Sequence, residues 1–367
     1  MNTVKASARW GGQPLHMNNP VDRTRRPTPL RVVAGFSLLL GGIAAQAAPL
    51  PLLQINVSGA EFSEGVYPGV VGTNYFFPNE GFFPGWRGRG ISIVRFPMKW
   101  ERLQPKLGGG LDPTYAALID KMLVQAAQSG VKVILDVHNY GRYHDQVISQ
   151  NGAVTVAHYR NLMSHIALRW RGYSALQGYD LMNEPHDEAD ALWPTVAQTG
   201  INTIRLYDKT RPIYVEGRSW SSAQRWPAYN NDLLALKDPS NNLIFSAHQY
   251  LDPDGSGNYT NPIGSGWDPN IGVNRVKPFI DWLKANGKKG QIGEFGVPDN
   301  DARWLDAATR LLEYLRSECV PLTYWSSGTY WGNYTLAIEP VNGVTRPQWT
   351  VLAKYLATPS CEVNGPK

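Results

Sequence analysis

The chain has 367 residues, of which 43% are hydrophobic and 18% charged, and this describes a globular protein with a substantial core. Its formal net charge of +5 arises in the first 31 residues, which contain six Lys and Arg residues against a single acidic one, Asp22. The remainder is about neutral, so composition gives no basis for a nucleic-acid partner. The 13 Trp and 18 Tyr exceed what core packing usually requires, and a surplus of flat aromatic rings suits sugar ligands.

The N-terminus has the pattern of a secretory signal peptide. An Arg-rich stretch precedes an apolar run at residues 32–45, and Ala45-Gln46-Ala47 forms a small-x-small cleavage site. The run is too short and too rich in Gly and Ala for a good membrane span. We therefore expect residues 1–47 to be removed on export and the protein to be secreted, either outside the cell or into a periplasm. Residues 48–367 would then form one catalytic domain.

After a lead-in at residues 50–69 that Pro and Gly interrupt, short β-rich runs recur along the chain. Eight runs predict strands, at residues 70–76, 91–96, 131–137, 178–182, 213–216, 243–248, 291–295 and 322–325. Amphipathic stretches with apolar residues at helical spacing lie between most of them, at residues 113–128, 154–170, 193–207, 273–286 and 302–318. The connection between residues 76 and 91 is loop-like, so the first helix should be short.

Alternating strands and helices favour a parallel sheet that is covered on both faces. With no low-complexity linker in the chain, the economical arrangement is a single-domain (β/α)₈ TIM barrel. An open, doubly wound sheet is the alternative. That fold normally carries a Gly-rich phosphate-binding turn after its first strand, and the nearest Gly-rich segment, residues 81–90, follows no suitable strand–helix junction.

Polar side chains follow the predicted strands at the barrel end where such folds place their chemistry. Two are glutamates, Glu184 in Asn183-Glu184-Pro185 and Glu294 in a Gly-Glu-Phe-Gly segment. Cleavage of a glycosidic bond requires one carboxylic acid to protonate the leaving oxygen and a second carboxylate on the opposite face. Glu216 also ends a predicted strand and is a second-line candidate. The separation that decides between retention (about 5 Å) and inversion (about 6.5–9.5 Å) cannot be read from sequence.

Several strand-end segments together resemble a known enzyme family. They are IVRFP at 93–97, LDVHNY at 135–140, LMNEPH at 181–186, AHQYLD at 247–252 and GEFG at 293–296. In this order, and over about residues 69–349, the chain resembles family 5 glycoside hydrolases of the endo-β-1,4-glucanase type. The resemblance implies a retaining double displacement without metal or cofactor. Glu184 would be the acid/base and Glu294 the nucleophile.

The resemblance also assigns supporting roles around the two glutamates. Arg95 would hold Glu294 ionised, and Tyr250 would donate a hydrogen bond to the same carboxylate. His248 would lie near Glu184 and adjust its proton affinity. Three further residues would bind the sugar that is cleaved, by contacting its 2-hydroxyl, by contacting another hydroxyl and by stacking beneath its ring: Asn183, His138 and Trp325.

Other aromatic and polar segments lie in the predicted loops. Trp220, Trp226, Trp267 and Trp331 are candidates for outer sugar subsites or for ordinary packing. Residues 252–258 (DPDGSGN) imitate the start of a calcium-binding loop, but Ile263 stands where the bidentate Glu is required. We therefore expect a surface loop there.

The chain contains only two cysteines, Cys319 and Cys361. In an oxidising compartment they could form a disulfide that ties the C-terminal tail to the last long helix. They are too few for a structural zinc site.

The leading hypothesis is thus a secreted, monomeric endo-β-1,4-glucanase that acts on cellulose or related β-glucans and has neither a membrane nor a nucleic-acid partner. A β-mannanase, xylanase or xyloglucanase on the same barrel is the nearest alternative, since only groove contacts would differ. A non-catalytic carbohydrate-binding protein would lack one catalytic Glu. A periplasmic solute-binding protein would have two lobes joined by a hinge, whereas the eight strands predicted here follow one another without interruption.

Overall fold

Eight parallel strands of the computed structural model, which describes residues 50–358 and 360–367, close into a barrel. Each strand pairs with its neighbours in the chain, and the last pairs with the first. The predicted (β/α)₈ barrel is confirmed, whereas the predicted signal peptide, residues 1–47, lies outside the described residues. The strands are β1 Leu53–Val57, β2 Ile93–Met98, β3 Lys132–Val137, β4 Leu176–Asp180, β5 Ile213–Glu216, β6 Leu243–His248, β7 Gly290–Phe295 and β8 Leu322–Ser327.

Helices surround the barrel where the amphipathic pattern predicts them. Two of them, Pro113–Gln128 and Trp193–Tyr207, have the predicted bounds. The first of these begins after Asp112, whose side chain accepts a hydrogen bond from the Tyr115 amide at 2.7 Å. The α-helices of six or more residues are α1 Phe82–Gly88, α2 Pro113–Gln128, α3 Val156–Trp170, α4 Trp193–Tyr207, α5 Ile271–Ala285, α6 Ala302–Ser317 and α7 Pro347–Leu352, and a single helical turn at Trp100–Leu103 follows β2. The short α1 agrees with the prediction, and between β5 and β6 the chain forms only helical turns, Trp226–Tyr229 and Asn231–Ala235.

The first strand was predicted in the wrong place. Residues 70–76 form a loop in which Val70 and Val71 are exposed, and Gly69 and Gly72 on either side of these valines have positive φ angles of 73° and 81°. The strand instead occupies Leu53–Val57, where all five residues are buried. The sequence pattern did not indicate this strand, because its LQINV run is short and follows the prolines at 49 and 51. A short, mostly apolar run is nevertheless sufficient for a strand that is buried on both faces.

The inside of the barrel is layered along its axis. Ile93, Ile134, Tyr214 and Ile244 pack together as a separate apolar cluster. Because inward-facing side chains recur every second residue, the next inward positions on these strands carry polar or charged groups. The barrel therefore has an apolar base and a charged layer above it, which leads to the candidate site at the C-terminal ends of the strands.

The C-terminal segment is attached to the barrel by a disulfide. Cys319, just after α6, is bonded to Cys361, 42 positions later, with a Cα–Cα distance of 5.4 Å. Both cysteines are buried beside Leu52. Within the described part of the chain, none of the helices combines the length and apolar character needed to cross a membrane.

Candidate active site

Arg95 lies at the centre of the charged layer and is fully buried. Its guanidinium contacts four carboxylates at 2.7–3.0 Å, from Asp136, Asp180, Glu216 and Glu294. Buried charges are tolerated only when they are paired and hydrogen-bonded, and the planar guanidinium provides five donors for this purpose. Arg95 therefore links the ends of five strands into one rigid network.

Glu294 projects from β7 and has both carboxylate oxygens engaged. Arg95 Nη1 donates to Oε1 at 2.8 Å, and the Tyr250 hydroxyl donates to Oε2 at 3.0 Å. Burial raises the pKa of Glu294 to about 7, although His248 and Arg95 oppose this rise electrostatically. Gly293 permits the close packing here, since a Cβ at this residue would lie 3.1 Å from His248 Nε2.

Glu184 lies beyond the end of β4, in a backbone conformation that non-glycine residues seldom adopt, with φ of 42°. Its amide donates to Glu216 Oε2 at 2.7 Å, and its Oε1 lies 2.7 Å from His248 Nδ1. These contacts hold the side chain, which is 17% exposed, at the surface of the cleft. A ligand atom from each of Glu184, His248 and Glu294 lies within 4.8 Å of the others.

The two histidines have opposite electrostatic environments. Burial lowers the pKa of His248, but the nearby carboxylates of Glu216 and Glu294 outweigh burial and raise it well above the usual range. Burial, together with Arg95 and Lys99, lowers the pKa of His138 well below the usual range. His138 is therefore neutral, and its Nδ1 hydrogen-bonds Asp136 Oδ2 at 2.7 Å.

An open cleft of about 810 Å³ runs over these groups. Glu184, Glu294, Asn183, His138, His248, Tyr250 and Trp325 all line it, so the structure brings the predicted central residues together. The Trp325 ring is nearly parallel to the His138 ring, with centroids 5.6 Å apart. At another wall Trp220 stacks on His186, with centroids 4.5 Å apart and planes within 7°.

The remaining tryptophan candidates are placed differently. Trp226 is fully buried against Phe279 and Phe245, so the suggestion of an outer subsite there is wrong. Trp226 begins a short helical turn, and its ring also packs edge-on against Trp282 of α5. Trp331 is half-buried beside Trp325 and does not line the cleft, and Trp267 packs against Trp304 on α6.

The loop that imitates a calcium site forms a wall of the cleft, through residues 254–258. The Asp252 carboxylate accepts hydrogen bonds within the loop, from the Gly257 amide at 3.0 Å and the Ser256 hydroxyl at 2.9 Å. These contacts stabilise the turn, so the expectation of a surface loop agrees with the structure.

Several polar residues of the site were missed by the sequence analysis. Asp136 is the last residue but one of β3 and Asp180 is the last residue of β4, and a charged residue in a buried strand is a signal that it faces the barrel interior. Asn56 accepts a hydrogen bond from Arg95 at 3.0 Å but lies on β1, which was predicted elsewhere. Arg225 belongs to no recognisable sequence motif, and its guanidinium lies 5.5 Å from the Trp220 ring centroid.

Comparison with known proteins supports one family. The family model described as Cellulase (glycosyl hydrolase family 5) matches residues 54–330. Endo-beta-1,4-glucanase A of Emericella nidulans is 34% identical over 332 residues, which are 89% of this chain and 98% of the relative. The crystal structure of Pseudomonas stutzeri endoglucanase Cel5A in complex with cellobiose has a TM-score of 0.84 at 43% identity, covering 88% of this chain and 98% of that one. XacCel5A in complex with cellopentaose has a TM-score of 0.78 at 33% identity, covering 83% and 99%. Sequence and fold therefore agree that this chain belongs to glycosyl hydrolase family 5, the cellulase family.

Proposed function

We propose that the protein is a retaining endo-β-1,4-glucanase that hydrolyses internal bonds of cellulose or related β-glucans. The observation that carries the retaining mechanism is the separation of two acids, since oxygens of Glu184 and Glu294 lie within 4.8 Å across the cleft. Retaining glycosidases place these groups about 5–5.5 Å apart, whereas inverting enzymes need about 6.5–9.5 Å to admit a water molecule. The similarity to proteins named endoglucanases supports the β-1,4-glucan substrate.

In the first step, the Glu294 carboxylate attacks the anomeric carbon while Glu184 protonates the departing glycosidic oxygen. The bond between sugar and oxygen breaks as the bond to Glu294 forms. In the second step, Glu184 removes a proton from water, whose oxygen displaces Glu294 from the sugar. The carboxyl groups thereby return to their starting protonation states, and two inversions give net retention.

Arg95 and Tyr250 support the nucleophile in this proposal. They donate to different oxygens of Glu294, at 2.8 and 3.0 Å, and thereby fix its orientation. The positive charge of Arg95 also favours the ionised form that attack requires, against the effect of burial.

Asn183, His138 and Trp325 would hold the sugar. Arg95 donates to Asn183 Oδ1 at 2.9 Å, which leaves Nδ2 without a hydrogen-bond partner among the described residues. Because Asn183 lines the cleft, we assign this unused donor to a hydroxyl of the sugar. The neutral His138 offers Nε2 in the same way, and Trp325 presents an apolar ring face on which a sugar could stack.

We further propose that residues 1–47 are an export signal and that the mature protein is secreted. The basic and apolar segments before Ala45-Gln46-Ala47 support this proposal. The disulfide between Cys319 and Cys361 also fits an oxidising compartment.

The proposal is tested by measuring release of reducing ends from carboxymethylcellulose, mannan, xylan and xyloglucan. We expect the highest kcat/KM on the glucan, and activity confined to mannan, xylan or xyloglucan would contradict the substrate assignment. Glu184→Gln and Glu294→Gln should abolish hydrolysis of cello-oligosaccharides while binding persists. Glu188→Gln is the matched control, because Glu188 is an exposed acid in the adjoining loop, with a side chain 78% exposed.

A further inference from the structure

We infer that Glu216 is a positioning residue for the acid/base, acting on Glu184 through its backbone and through His248. This inference rests on the proposed function of Glu184. Glu216 ends β5 and is fully buried, so it does not reach the cleft. A buried carboxylate of this kind needs a partner for each oxygen, and its partners here belong to the catalytic machinery.

Both oxygens of Glu216 contact groups beside the acid/base, and Oε1 also accepts a hydrogen bond from Arg95 Nη2 at 2.7 Å. Oε2 accepts from the Glu184 amide at 2.7 Å, which fixes the residue at its unusual positive φ. Oε1 lies 3.1 Å from His248 Nε2, and the other ring nitrogen of His248 contacts Glu184 Oε1 at 2.7 Å. Glu216 and Glu184 therefore lie on opposite sides of one imidazole ring.

The charges around this arrangement determine what Glu216 contributes. His248 alone would place a positive charge beside Glu184. The Glu216 carboxylate, on the other side of the ring, raises the pKa of His248 and offsets its positive charge, so the electrostatic environment of Glu184 depends on Glu216. The other titratable groups facing the pair are Arg95 from β2, Asp136, His138 and Tyr140 from the end of β3, Asp180 from β4, Tyr250 after β6 and Glu294 from β7.

The test is Glu216→Gln, assayed by kcat/KM across pH. Glutamine can still accept a hydrogen bond from the Glu184 amide but carries no charge. Because the Glu216 carboxylate raises the pKa of His248, which contacts Glu184, loss of that negative charge should move the basic limb of the profile to lower pH by about one unit. Asp238→Asn is the matched control, since Asp238 is an acid with a buried side chain that pairs with Arg205 at 2.7 Å. It contacts neither Arg95, Glu184 nor His248 among the described contacts, and its basic limb should stay in place.

A second readout separates acid catalysis from general damage. On cellotetraose, whose leaving group needs protonation, kcat/KM of Glu216→Gln should fall by about 10-fold or more. The leaving group of 2,4-dinitrophenyl β-cellobioside is 2,4-dinitrophenolate, which departs without being protonated. On this substrate kcat/KM should change by less than about threefold. Equal losses on both substrates with an unmoved basic limb would overturn the inference and leave Glu216 a purely structural residue.

Glu216→Asp keeps the test decisive if the glutamine variant does not fold. Aspartate preserves the charge, so its basic limb should stay within about 0.3 pH units of wild type even if its rate falls. A shift of a full unit in this variant would contradict the electrostatic role. Failure of the proposed function is distinguishable, because it would appear as turnover retained in Glu184→Gln and Glu294→Gln.

Discussion

Replacing Arg95 by methionine removes a cation that contacts four buried carboxylates while keeping an unbranched side chain of similar length. Removing one partner from a buried charge pair typically costs about 3–5 kcal/mol, because the remaining charge stays buried without compensation. For a domain of roughly 320 residues this corresponds to a decrease in Tm of about 5–8 °C. We expect that decrease in differential scanning calorimetry near neutral pH.

The loss of stability should depend on pH. Burial raises the pKa of Glu294 from 4.5 to about 7 and that of Asp136 from 3.8 to about 6, and Arg95 opposes both shifts. A group whose pKa is raised by folding contributes stability below its unfolded pKa and loses that contribution as pH rises through the folded value. Without Arg95 these folded pKa values rise further, so Arg95→Met should be destabilised less at about pH 5 than at about pH 8.

Activity should fall more than stability explains. Loss of one preorganised donor to Glu294 should reduce kcat/KM by about 10²–10³-fold, and the acidic limb should move to higher pH because the nucleophile must be ionised. Arg205→Met is the matched control, because Arg205 forms a buried bidentate pair with Asp238 at 2.7 and 3.0 Å at the opposite end of the barrel. It should lose similar stability but retain kcat/KM within about twofold. A folded Arg95→Met enzyme with kcat/KM within tenfold of wild type would refute the reasoning.

Other parts of the account are tested separately. Tyr250→Phe removes the 3.0 Å hydrogen bond to Glu294 and should lower kcat by about 10–100-fold with little change in KM, and an unchanged kcat in steady-state kinetics would contradict it. Cys319→Ser with Cys361→Ser opens a disulfide spanning 42 positions and should lower the free energy of unfolding by about 2–4 kcal/mol in denaturant titrations while leaving kcat/KM unchanged. Trp220→Ala should weaken binding of cellopentaose by about fivefold or more in calorimetry but leave hydrolysis of aryl cellobiosides intact, and equal effects on both would refute a role in an outer subsite.

Most of the barrel could be predicted from sequence because its strands are buried on both faces and its helices are amphipathic. Those two patterns place seven of the eight strands near their observed positions. The predicted position of the first strand is wrong because the exposed valines between Gly69 and Gly72 resemble a strand in sequence. The observed strand, Leu53–Val57, is only five residues long and follows a proline.

The candidate site could likewise be predicted from sequence only in part. Glu184, Glu294 and their cleft-lining neighbours follow strand ends, so the topology alone predicts that they meet. The network beneath them could not be predicted, since it depends on which inward positions lie at the same height in the closed barrel. Asp136, Asp180 and Glu216 reach Arg95 for that reason, and the burial of Trp226 likewise depends on tertiary packing, here against Phe279 and Trp282 of α5.

Trapping the glycosyl-enzyme intermediate identifies the nucleophile. The enzyme would be incubated with 2,4-dinitrophenyl 2-deoxy-2-fluoro-β-cellobioside, digested, and examined by tandem mass spectrometry. We expect one added fluorocellobiosyl group on Glu294, with its loss in Glu294→Gln and normal labelling in the Glu188→Gln control. Labelling of another residue, or full inactivation without a covalent adduct, would contradict it.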